Sequence, residues 1–61
     1  MNEIKKPTMQ ELTSLSDEEL TKQVDLALQQ VAENAKQNKS TFEILQLYLI
    51  YQAERHRRGI V

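Results

Sequence analysis

The sequence predicts an all-α fold, an antiparallel two-helix hairpin preceded by a short N-terminal turn or helix. Three observations predict it. The 61 residues include one Gly and one Pro, and Gln, Leu, Glu, Ala and Lys, all good helix formers, are abundant. Three Ser/Thr-x-x-Glu capping boxes occur: Thr8 with Glu11, Ser16 with Glu19, and Ser40 with Glu43. In such a box the hydroxyl accepts from the amide three residues on, while the Glu returns to the cap amide. Two of the boxes open long stretches with apolar residues at helical spacing.

Residues 1–7 are polar and are expected to form a flexible tail. Met9 to Thr13, behind the Thr8 cap, suits a single turn or short helix. Met9, Leu12 and Leu15 are the apolar residues of this segment, and they suit a lid over one end of the domain. Helix A is expected over about 17–37. Asp17, Glu18 and Glu19 stand in its first turn, where carboxylates favour the positive end of the helix dipole. Leu20, Val24, Ala27, Leu28, Val31 and Ala35 fall within an arc of roughly 100°, one continuous apolar stripe. Leu26 lies alone on the opposite side.

Asn38-Lys39-Ser40 is the expected turn, with Asn38 suited to the left-handed conformation that ends a helix. Helix B is expected over about 41–58, with Gly59 as its stop. Its Ile, Tyr, Phe and Leu content would also suit a strand. No second strand candidate exists to satisfy its backbone, so helix is preferred.

Helix B carries all three aromatics and has two apolar faces. Phe42, Leu45, Leu49, Ala53 and His56 form one. Ile44, Leu47, Tyr48 and Tyr51 form a second, roughly opposite, with Ile50 on a margin. The single stripe of helix A covers one face only. We expect Phe42, Leu45 and Leu49 to pack on helix A. Ile44, Leu47, Tyr48, Ile50 and Tyr51 are then left as an oligomer or partner interface, the tyrosine rings buried and the hydroxyls at the rim. Two hairpins joined through helix B would form a four-helix bundle with a homodimer axis at its centre. Two alternatives stay open: a monomer in which Met9 to Leu15 folds back over the second face, and an obligate complex with a different protein.

Composition narrows the chemistry. A chain of 61 residues makes one small domain. It has no Cys and one His, His56, so disulfides and thiolate or His-rich metal sites are not expected, and no cofactor is implied. His56 is read as a packing or capping residue. There is no Gly-rich phosphate loop, no nucleophile beside a plausible base and no acid–base pair of carboxylates. Two short helices were also expected to enclose no pocket of ligand size. The expectation is a protein that is not an enzyme. Net charge is −1, which argues against a surface devoted to nucleic acid. The N-terminus does not read as a signal peptide and the longest apolar run is too short to span a bilayer, so a soluble cytoplasmic protein is expected, with no membrane partner.

Arg55-His56-Arg57-Arg58 is the one concentrated charge run. It can complement the negative end of helix B and neutralise Glu54. Alternatively, Arg55, Arg57 and Arg58, with the Lys5-Lys6 tail, can hold the backbone of RNA or DNA or another anion.

In outline the architecture resembles two families of small regulatory hairpin: the plasmid-encoded Rop dimers, which bind RNA, and the Sda sporulation checkpoint inhibitors, which bind a histidine kinase. The Leu15-Ser16-Asp17-Glu18-Glu19-Leu20 start and the Arg57-Arg58-Gly59-Ile60 end are similar to the second, although the helices between are longer here. The resemblance implies a regulatory protein that docks on a macromolecule, of protein or nucleic acid. The expected function is regulation by protein–protein contact with an as yet unidentified partner. Nucleic-acid binding by the Arg cluster is the alternative.

Overall fold

A computed structural model describes residues 6–60. Most of the expected N-terminal tail, Lys5 included, lies outside the described residues. The described residues form three helices and no strand: α1 (Met9–Ser14), α2 (Asp17–Lys36) and α3 (Phe42–Arg58).

Local chemistry sets the ends of these helices. Thr8 and Ser16 both form complete capping boxes. Glu11 N donates to Thr8 Oγ1 at 3.1 Å and Thr8 N to Glu11 Oε1 at 2.8 Å. Glu19 N donates to Ser16 Oγ at 3.1 Å and Ser16 N to Glu19 Oε1 at 2.9 Å. Accepting from the Ser16 amide and hydroxyl side holds the Glu19 carboxyl below its ordinary range. The last two helices end in Schellman motifs. Asn38 takes φ 60°, and the Asn38 and Lys39 amides donate to Ala35 O and Asn34 O. Gly59 takes φ 76°, and the Gly59 and Ile60 amides donate to His56 O and Arg55 O. A β-carbon at Gly59 would meet no neighbour, so its left-handed backbone, and not crowding, is what favours glycine.

The third box does not form. Thr41 occupies the cap position with φ −108° and ψ −1° and makes no side-chain capping bond. Helix α3 therefore starts at Phe42, one residue later than expected, and Glu43 becomes its second residue, out of step with Ser40. The Schellman motif and a bond from Asn34 Nδ2 to Ser40 O (3.0 Å) fix the connection first, and Ser40 Oγ is left to accept from Phe42 N at 3.4 Å.

Helices α2 and α3 pack along their lengths, and α1 rests against α3. The core consists of Leu12 from α1, Leu20, Val24 and Ala27 from α2, and Ile44 from α3. Each of the larger of these contributes about 1.5–3 kcal/mol by leaving water. Gln23, Ala27 and Gln30 of α2 share a groove with Ile44, Leu47 and Tyr51 of α3.

This corrects the expected orientation of α3. Ile44 is buried, at 5% exposure, and Leu47, Tyr48, Ile50 and Tyr51 are half-buried. Phe42 (66%), Leu45 and Leu49 (62%) are exposed, where they had been expected to meet helix A. Ile44 is thus unavailable as an interface residue.

Candidate functional site

Two features stand apart from the core: a charged cluster at the C-terminal end of α3 and the apolar row on the outer side of the same helix.

The cluster is centred on Glu54. Its carboxylate is 3% exposed as a residue, on the same side of α3 as Ile44, Leu47 and Tyr51. A buried carboxylate needs cationic partners. Arg57 supplies a fork, Nε to Oε1 at 2.8 Å and Nη2 to Oε2 at 2.6 Å. Arg58 adds Nε to Oε2 at 2.7 Å. These partners sit three and four residues on, the spacing at which helical neighbours face each other. The rest of the Arg58 guanidinium reaches other helices. Nη1 donates to Asp17 Oδ1 at 3.0 Å, at the start of α2. Nη2 donates to Leu12 O at 3.0 Å and Thr13 O at 3.4 Å, two carbonyls at the end of α1. Arg58 thereby closes three helix ends, giving a donor to Thr13 O and a second one to Leu12 O, which also accepts from Leu15 N at 3.4 Å.

Hydrogen bonds from Arg57, then Arg58, pull the Glu54 carboxyl down to about 2. The sign follows from linkage. A carboxylate with a lowered folded-state pKa contributes stability above its unfolded value, near 4.5, and loses it as pH falls toward 2. Thermal or urea unfolding followed between pH 6 and pH 2 is expected to show stability declining across that window. In Glu54→Gln the decline should be shallower, over a less stable baseline. An equal slope in the two proteins would show that Glu54 is not the responsible group.

Of the three expected anion contacts, the structure brings Arg57 and Arg58 together on Glu54 and leaves Arg55 apart. Arg58 is turned inward, its side chain 15% exposed, while Arg57 keeps 61%. Arg55 Nη1 donates to Gln52 Oε1 at 3.1 Å, and its Nε is buried without a hydrogen-bond partner among the described residues. The roles of Asp17 and of the Leu12 and Thr13 carbonyls were not foreseen. The Glu-x-x-Arg-Arg spacing signals the fork, but nothing local signals a bond across more than forty residues.

The apolar row lies on the other side of α3. Phe42, Leu45 and Leu49 fall within about 60° of one another at 100° per residue. Around them Gln46, Gln52, Ala53 and His56 complete an arc of roughly 120° without a charged residue at neutral His56. Leu28, exposed on α2, flanks the buried Leu20–Val24–Ala27 row on the edge away from Gln23 and Gln30.

The groove beside Leu47 and Tyr51 is open and measures about 640 Å³, a concavity the sequence had not led us to expect. Among the described residues its lining includes no carboxylate and no histidine, and Lys39 is the one formally charged side chain. Among the described residues there is no cluster of three or more His, Cys, Asp or Glu able to hold a metal, and no helix long and apolar enough to cross a membrane. Comparison of the chain with protein-family models, with curated proteins and with solved structures finds no match.

Proposed function

We propose that this protein is a small non-enzymatic regulatory or interaction protein, an antiparallel helical hairpin that acts by protein–protein contact through the outer face of α3 and self-associates into a four-helix bundle. The observation that carries the reading is the exposed row Phe42, Leu45 and Leu49. Isolated exposed leucines are ordinary, but three large apolar side chains in one row over the first half of a helix mark a contact surface. The half-buried Leu47, Tyr48, Ile50 and Tyr51 serve the fold of the single chain first. The interface therefore moves to the opposite side of the helix from the one the sequence suggested.

The inward turn of Arg58 favours this reading over a grip on RNA or DNA. Its guanidinium already holds carboxylates and carbonyls of the same chain. A nucleic-acid interface needs cations turned outward toward phosphates.

Light scattering coupled to size exclusion tests the reading. The wild-type chain at tens of micromolar is expected at twice its 7.1 kDa monomer mass. Leu49→Glu is expected to give a monomer that keeps most of its helical circular dichroism, because Leu49 makes little contact within the chain. A wild-type monomer at these concentrations would sink the self-association.

A further inference from the structure

We infer that the partner seated on this surface is a second copy of the chain, with its α3 running antiparallel to the first about a two-fold axis close to Leu49. The inference rests on the self-association proposed above and deepens it.

The argument begins with charge. In a symmetric contact every residue on the axis meets itself, so a charge there faces a like charge. The outer arc of α3 from Phe42 to Ala53 carries none. Leu49 can meet its own copy, Leu45 can lie against Ala53 of the partner, and Phe42 can lie against His56 of the partner. On either side of the central Leu49 pair, large residues then face small or flat ones.

The flanks decide the direction. Glu43 stands in the first turn of α3, and Arg57 stands in the last. On the helical wheel they fall within roughly 40° of each other, on one margin of the seam. Two antiparallel helices facing each other place equivalent margins on the same side. The Glu43 carboxylate then lies within about one turn of the partner's Arg57, and symmetry makes this contact twice. A parallel mate, related by an axis along the helices, would put equivalent margins on opposite sides of the seam and bring Glu43 to no Arg57. Arg57, although bound to Glu54, remains 61% exposed and can take a second carboxylate. The acidic start and basic end therefore favour an antiparallel mate, which alone brings Glu43 to an opposite charge.

The chain has no cysteine, so a single introduced thiol labels uniquely. Lys39, in the exposed turn between α2 and α3, is ten positions before Leu49. In the antiparallel dimer the two turns lie at opposite ends of the bundle. Spin labels on Lys39→Cys should then sit on the order of 30 Å apart, from a rise of about 1.5 Å per residue on each side of the axis. In a parallel dimer they would sit side by side, under about 20 Å. A second variant reads the flank directly. Glu43→Arg should weaken the antiparallel dimer by roughly tenfold through two reversed pairs, with helical circular dichroism checked to set aside a weakened start of α3. It should leave a parallel dimer nearly unchanged, because Glu43 has no charged partner across the seam there. A dimer with short label distances, or one indifferent to Glu43→Arg, overturns the antiparallel register and leaves self-association standing. A wild-type monomer removes both.

Discussion

Ile44→Glu is expected to unfold the chain, whereas Phe42→Glu, two residues away, is expected to leave it folded. Ile44 is 5% exposed, and its neighbours are Leu47, Tyr51 and the Ala27 face of α2. Truncating a buried Ile costs about 2–5 kcal/mol. A carboxylate placed there without a partner adds several kcal/mol more. A domain of this length has roughly 3–9 kcal/mol of net stability at about 0.05–0.15 kcal/mol per residue. The substitution therefore removes most or all of it. Phe42 is 66% exposed, so a carboxylate in its place stays in water, at the N-terminal end of α3 where negative charge is favoured. Far-ultraviolet circular dichroism with urea titration distinguishes the two. If Phe42→Glu unfolded the chain as fully as Ile44→Glu, the orientation of α3 would be wrong, or folding and association would be inseparable.

Arg58→Ala is expected to release α1 while α2 and α3 remain paired. Helix α1 has six residues, too few to persist alone in water. Among its ties are the buried Leu12 and the two Arg58 bonds to Leu12 O and Thr13 O. Without the guanidinium Thr13 O loses this donor, Leu12 O keeps the Leu15 amide at 3.4 Å, and Asp17 and Glu54 each lose a cationic partner. Hydrogen exchange should show complete loss of protection for the α1 amides. Amides in the middle of α2 and α3 should exchange faster but remain protected. Arg58→Lys should rescue little, because an ammonium cannot hold Glu54, Asp17 and two carbonyls at once. Protection of α1 equal to wild type in Arg58→Ala would show that Arg58 does not anchor it.

The class of fold was legible in the sequence because its signals are local. Thr8 with Glu11 and Ser16 with Glu19 read as helix starts, and Asn38 and Gly59 as helix stops, from residues no more than a turn apart. The Ser40 box failed for a reason of the same scale, a one-residue displacement set by the Asn38 turn. The rotation of α3 was not legible. Its two faces, one led by Ile44 and Leu47 and the other by Phe42, Leu45 and Leu49, are nearly equal in apolar content, and hydrophobicity cannot choose between them. The polar end of the helix chooses. Glu54 and Arg58 share the Ile44 side, and only with that side inward does Arg58 reach Asp17 and the end of α1. The opposite setting would bring Ala53 and His56 inward and strand Glu54. Of the residues expected at the interface, Ile44 belongs to the core, and Leu47, Tyr48, Ile50 and Tyr51 are half-buried beside it.

The Arg58 clasp has a kinetic consequence. Helices α2 and α3 are neighbours in sequence and can meet as soon as both form, a route of low contact order. The bonds of Arg58 to Asp17 and Leu12 span 41 and 46 residues and need that pairing to exist already. The clasp should then be absent from the folding transition state. Its loss should hardly change the refolding rate and should fall almost wholly on the rate of opening. Stopped-flow unfolding of Arg58→Ala should show this as a raised unfolding limb beside an unmoved folding limb. By this account Arg58 governs how long the folded molecule lasts more than how fast it forms.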